Sequence, residues 1–154
     1  MIKDSGQRRE FETGAVRDMA SKGRCDLLPW SIIPSDESEL KIFYENMDQA
    51  LHSYNAQQLS KSISKCLDVF VSMAFSSSLE SALLEVSYLF EDGCKKYGER
   101  NWEKGIPINS YLDSAGRHFL KWCRGDVDER HDRAVIWNLI CALWTIKHKP
   151  EAIL

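Results

Sequence analysis

The segment from about Asp128 to Lys147 constrains this chain more than any other. Ala134, Val135, Ile136, Trp137, Leu139, Ile140, Cys141, Ala142, Leu143, Trp144 and Ile146 make a helix that is apolar nearly all round. Such a helix has to lie at the centre of a fold rather than on its rim. Asn138 sits in the middle of it. A buried amide without partners costs ~1–3 kcal/mol, so another group must reach in and bond it. His131 lies two helical turns earlier on the same face. The two present a polar stripe, either a structural hydrogen-bond network or a pair that reads a ligand or metal, and the sequence leaves both open.

The other helices follow from apolar spacing. Asp36 and Glu39 have capping-box spacing, and Leu40, Phe43, Tyr44, Met47, Leu51 and Tyr54 recur as a helical stripe. Asn55 restarts the pattern with Leu59, Ile63, Cys66, Leu67, Phe70 and Ala74, so residues 35–75 read as an antiparallel helical hairpin. Ser77 and Glu80 suggest the next cap, before a helix to about Tyr97 with Leu79, Ala82, Leu83, Val86, Leu89, Phe90, Cys94 and Tyr97 inward and Gly98 at its end. The connection GERNWEKGIP is long for a bundle turn, which favours a functional loop. Asn109 is placed to cap a fourth helix with Leu112, Ala115, Phe119, Trp122 and Cys123 inward and Gly125 as its stop; Asp126 and Glu129 form a capping pair for the last. No strand-like alternation competes. The expectation is one all-α domain over 1–154: a bundle of about five helices, with an irregular arm at 1–34, the hairpin at 35–75, and core helices and site at 77–147.

Composition narrows the function classes. The 154 residues carry a formal charge of −3, whereas a nucleic-acid coat wants a net basic face; no nucleic-acid polymer is expected as a partner. No apolar run approaches the ~20 residues of a membrane span, and the N-terminal MIKDSGQRREFE lacks a signal peptide's apolar segment. A cytoplasmic protein with no membrane partner is therefore expected. The five cysteines, Cys25, Cys66, Cys94, Cys123 and Cys141, are scattered without a CxxC pair, which argues against a disulfide framework or cysteine-zinc site.

The polar residues concentrate between Glu91 and Asn138. Lys95, Lys96, Arg100, Lys104 and Arg117 gather positive charge around the loop of an acidic protein, as an anionic substrate would require. Trp102 and Tyr97 offer rings for a base to stack on, or Trp102 pins the loop to the core. Glu91, Asp113 and Asp132 form an oxygen cage for Mg²⁺ if their helices converge, and solvated helix faces if they do not. His118 follows Arg117 and either donates to a phosphate or is satisfied in the core. The His131-Asp132 doublet lacks the further Asp that an HD-type metal site needs. P-loop, GxGxxG and GxSxG motifs are absent.

Three segments, FETGAVRDMASKGRCDLLP at 11–29, FEDGCKKYGERNWEKGIP at 90–107 and YLDSAGRHFLKWCRGDVDERHDRAVIWN at 111–138, resemble the phage and prophage dATP/dGTP diphosphohydrolase N-terminal domain family. The resemblance implies kinship with MazG-like all-α nucleotide pyrophosphohydrolases. Those enzymes set ExxE and ExxD acids on adjacent helices around Mg²⁺ and release a nucleoside monophosphate and pyrophosphate. This chain departs from that pattern, having no ExxE on the third helix and, toward the last helix, an ExxD from Glu129 to Asp132. Carried over on the matching motifs, Glu91, Asp113 and Asp132 are the expected metal ligands for Mg²⁺, with Mn²⁺ as substitute. Glu91, Asp113 and His131 are the expected catalytic groups. Arg17, Lys22, Arg24, Lys95, Lys96, Arg100, Asn101, Trp102, Arg117, His118 and Asn138 are the expected binders of a purine deoxynucleoside triphosphate. A homo-oligomer is expected, and the alternative activity is a non-catalytic module that binds or sequesters nucleotide.

Overall fold

A computed structural model describes residues 4–18 and 21–153. Residues 1–3, 19–20 and 154 of the expected single domain, including Met19 and Ala20 inside the quoted arm motif, lie outside the described residues. Five α-helices form among the described residues: α1 Ser38–Leu51, α2 Ala56–Ala74, α3 Leu79–Tyr97, α4 Ile108–Arg124 and α5 His131–His148. The all-α bundle expected from the apolar spacing is the fold observed.

α5 is its axis. α4, α2 and α3 all pack against it, and α1 pairs with α2 as the expected hairpin. Ala134, Val135, Ile136, Leu139 and Ala142 are wholly buried, because a helix apolar on every side is stable only when neighbours cover every side. The aromatic centre lies where α1, α2 and α4 meet. Phe43 stacks on Phe119 with centroids 3.6 Å apart, and Phe70 meets both rings edge-on. No single described helix is long and apolar enough to cross a membrane.

Helix ends differ from expectation by one to three residues. α1 begins after Glu37 without a side-chain cap, so the Asp36–Glu39 box does not form. Ser78, not Ser77, caps α3 by accepting from the Ser81 N–H, since Ser77 is in a left-handed conformation at φ 66°. α4 begins at Ile108 after Pro107, whose fixed φ suits a helix entry, and not behind Asn109. α5 starts at His131, leaving Asp126 and Glu129 in the preceding loop. Asn55 does cap α2, accepting from the Gln58 N–H at 3.0 Å. Leu79 and Leu83, expected inward, are each 43% exposed. Cys123, placed on the inner face of α4, is also exposed.

The arm overturns the expectation of no strands. β1 (Arg8–Glu10) and β2 (Val16–Asp18) form an antiparallel pair with Arg9 opposite Arg17. Three-residue strands are too short to display alternation. Two 3-10 turns follow, Cys25–Leu27 and Trp30–Ile32, and Trp30 is fully buried. Its indole N–H donates to the Cys25 carbonyl at 2.8 Å, and its ring lies against Gly116 of α4. A Cβ at Gly116 would stand 2.6 Å from Trp30 Cζ2, so the missing side chain is what admits the ring. The arm is therefore a docked part of the domain.

Candidate functional site

With the arm docked, a cavity of about 560 Å³ opens between it, the C-terminal half of α3, the 98–106 loop, α4 and α5. That size falls within the ~300–1,000 Å³ of small-molecule sites. Eight basic side chains against five acidic ones line it, a local excess of positive charge in a chain of net −3.

The floor is built around Arg17. β2 aims it inward, where one guanidinium nitrogen donates to the Ser110 carbonyl at 3.2 Å. The other donates to Ser114 Oγ at 3.2 Å and to Asn138 Oδ1 at 3.1 Å. The guanidinium also lies over the rings of Tyr111 and Trp137, 5.5 and 5.8 Å from their centroids. Burial disfavours its charged form and lowers its pKa, and the three acceptors it meets among the described residues are neutral. Asn138, 1% exposed, completes its own bonding by donating to the Ala134 carbonyl at 2.8 Å. The partner that the buried amide requires is thus an arginine from the far end of the chain. Two further buried donors at the cavity, Arg9 Nε and Trp137 Nε1, have no hydrogen-bond partner among the described residues.

Asp113 serves as a latch for the arm. One oxygen accepts from the Cys25 N–H at 2.6 Å and the Asp26 N–H at 3.3 Å, and the other pairs with Arg117. Arg117 in turn donates to the carbonyls of Lys22 and Gly23. Asn101 is a second latch, accepting from the Val16 N–H at 2.8 Å and donating to the Val16 carbonyl at 2.7 Å, as a neighbouring strand would. Lys22 pairs with Asp18, Arg24 with Asp26, and Arg100 with Glu103. Trp102 wedges edge-on between Phe90 and Trp144, 5.5 and 5.0 Å away, and so pins the loop as well as lining the cavity.

Arg17, Lys22, Arg24, Lys96, Arg100, Asn101, Trp102, Asp113, Arg117, His118 and Asn138 all reach the cavity wall, whereas Glu91, Lys95, His131 and Asp132 do not. Glu91 and Lys95 fall on the exposed side of α3, because Ala82, Val86 and Leu89 set the buried face of that helix. Asp132 points to Arg130, which bonds both its oxygens at 3.0 and 2.9 Å. Burial opposes its ionisation, but the bonds from Arg130 outweigh this and hold the carboxyl below its usual range. Glu91, Asp113 and Asp132 therefore do not meet as a cage; among the described residues, acids and histidines converge only around His131. The cavity-lining groups that sequence reasoning missed are chiefly Arg9, Asp18, Asp92, Lys121, Glu129 and Trp137. Trp137 was within reach, since it adjoins Asn138 on α5.

His118 and His131 are both buried, with their Nδ1 atoms 2.9 Å apart. His131 Nε2 stands 2.8 Å from an Asp128 oxygen. That carboxylate accepts a hydrogen bond from the His131 Nε2–H, so His131 Nδ1 accepts and His118 Nδ1 donates. Burial, and then the neighbouring His131, pushes the His118 pKa down to about 3.

Residues 72–153 match the family model described as dATP/dGTP diphosphohydrolase, N-terminal. The match takes in α3, α4, α5 and the loop carrying Asn101, and leaves the arm and most of the hairpin outside. No curated protein and no solved structure matches the chain.

Proposed function

Because the chain belongs to the dATP/dGTP diphosphohydrolase N-terminal family, we propose that its cavity takes a purine deoxynucleoside triphosphate. In this reading the protein hydrolyses the bond between the α and β phosphates, with water adding its oxygen to the α phosphorus and pyrophosphate leaving.

The observation that carries the reading is Arg17. A half-buried cation among neutral described acceptors gains when a counter-charge arrives, and a planar guanidinium matches phosphate oxygens. Lys22, Arg24, Lys96, Arg117 and Lys121 share the cavity with it, enough positive charge to meet a triphosphate in a partly dry space. Phe90 and Trp137 supply aromatic wall for the base, their rings 5.9 Å apart. The carboxylate cage expected for Mg²⁺ does not fit this arrangement, since Glu91 and Asp132 lie off the cavity and the Asp113 oxygens hold Arg117 and the arm.

That mismatch favours a second reading, a module that binds the nucleotide without turning it over. Incubation with dATP, dGTP and the pyrimidine counterparts, in Mg²⁺ or Mn²⁺, separates the two. Monophosphate plus pyrophosphate, formed from the purine substrates and lost in Arg17→Met, supports hydrolysis. Saturable binding without product leaves the module. Equal binding by the folded Arg17→Met protein rules out this cavity as the phosphate site.

A further inference from the structure

We infer that His118, His131 and Glu129 form a binding site for a divalent first-row transition ion at the edge of the cavity. The inference concerns a metal site in its own right and does not depend on which ligand fills the cavity.

Two imidazole nitrogens face each other at 2.9 Å in the interior, one on α4 and one at the first turn of α5. Metal–imidazole bonds of ~2.0–2.1 Å put two nitrogens about 2.9 Å apart at the right angle of an octahedral ion and about 3.3–3.4 Å apart at the tetrahedral angle usual for Zn²⁺, a few tenths of an ångström wider than the pair here. A cation that displaces the bridging proton would therefore sit to one side of the line between the two nitrogens, bonded to both once the rings turn toward it. Glu129 adds a carboxylate, its Oε2 3.9 Å from His131 Nδ1, and one ligand atom from each of the three residues lies within 4.8 Å of the others.

The surroundings are those of a ligating histidine. Asp128 faces His131 Nε2 at 2.8 Å. It therefore holds the proton on that nitrogen and turns the Nδ1 lone pair toward His118 and Glu129. Carboxylates placed behind a histidine in this way orient it for metal and raise its basicity. A competing trio, Asp126, Asp128 and His131, is also close enough. In it, however, Asp126 is held by the Arg124 guanidinium through both oxygens, and Asp128 stands on the outer nitrogen of His131.

Two imidazoles and one carboxylate select the ion. Mg²⁺ prefers an all-oxygen shell and gives up water reluctantly, whereas imidazole suits Zn²⁺, Fe²⁺ and their neighbours. His118 and Glu129 both line the cavity, so the remaining coordination positions open toward whatever binds there. An oxygen of that ligand would be polarised by the ion.

The test uses the full chain, stripped with chelator and titrated with Co²⁺, Zn²⁺ and Mg²⁺ by calorimetry and, for Co²⁺, by visible absorption. We expect one Zn²⁺ or Co²⁺ per chain, bound at least 100-fold more tightly than Mg²⁺, with cobalt d–d bands. His131→Gln should abolish the bands and Glu129→Gln should weaken binding at least tenfold, with Asp128→Asn causing a similar loss. Glu129 lies in a loop, so its variant keeps the test decisive if His131→Gln fails to fold. No stoichiometric binding to wild type overturns the inference, as do tighter binding of Mg²⁺ or undiminished cobalt bands in folded Glu129→Gln. Loss of nucleotide binding in Arg17→Met with cobalt binding retained would bear on the cavity ligand and leave the metal site standing.

Discussion

Replacing Asn138 by leucine and Arg17 by methionine, singly and together, tests whether the arm and the central helix are joined by one hydrogen bond. Asn138 Oδ1 accepts from Arg17 at 3.1 Å in a place that is 1% exposed. A hydrogen bond to a charged group contributes ~1.5–3 kcal/mol. Asn138→Leu removes the acceptor and leaves the buried guanidinium with two neutral partners instead of three. Arg17→Met removes the donor and orphans a buried amide oxygen, at ~1–3 kcal/mol. In the double variant neither group remains to be orphaned, and apolar replacements of similar shape are close to neutral. Urea denaturation of the four proteins should therefore give a coupling free energy of about 1.5–3 kcal/mol. At the ~2–4 °C per kcal/mol typical of chains this size, Asn138→Leu should melt roughly 3–12 °C below wild type, and the double variant should recover most of that. Single-variant losses that add in the double to within ~0.5 kcal/mol would refute the reasoning, because unconnected sites behave that way.

Other perturbations have equally definite outcomes. Gly116→Ala would set a Cβ 2.6 Å from Trp30; overpacking of ~1–3 kcal/mol should exceed the ~1 kcal/mol gained in helix propensity, so the melting temperature should fall rather than rise. Asp113→Ala removes the acceptor for two arm N–H groups and for Arg117, and limited proteolysis should then cut near residues 21–24 several-fold faster than in wild type. Were Asp113 instead a metal ligand, cobalt titration rather than proteolysis would report the change. Burial pushes the Cys66 and Cys141 thiols well above their usual pKa, so iodoacetamide near neutral pH should leave both unmodified in the native protein and label them once it is unfolded in urea.

What could be read from residue order alone was what has a period. The stripe from Phe43 to Met47, the apolar circumference of α5 and the glycine stops at 98 and 125 each follow local rules, and each holds in the fold. Caps were harder, because several serines and acids compete for one role; at Ser77 and Ser78 the choice is settled by a left-handed residue that no spacing rule reveals. Most of the basic and both amide positions named from the sequence line the cavity, since charge clustering survives a moderate rotation of a helix, but Lys95 turns outward and Arg9 and Lys121 were not foreseen. The acids were less legible. Whether Glu91 or Asp92 faces the cavity depends on the phase of α3, which Ala82, Val86 and Leu89 determine by packing on α5. Asp113 looked like a ligand because its true partners, the backbone N–H groups of Cys25 and Asp26, lie 88 and 87 residues away in sequence. The Asn138 amide signalled that a partner had to exist but could not say which one.

Arg17 and Asn138 stand 121 residues apart in the chain, and that separation has a kinetic consequence. Closing a loop of this length costs about 4 kcal/mol of chain entropy, from the logarithmic scaling of loop closure. The α1–α2 and α4–α5 pairings, by contrast, close over short connections and form early. We expect the cavity floor to assemble late and, because releasing the arm frees only a short terminal stretch, to be among the first parts to open when the native protein fluctuates. Amides of the Val16 region should exchange with solvent through such partial openings while the helices stay protected. A ligand seated on Arg17 can engage only molecules whose arm has already docked, so its apparent affinity scales with that population.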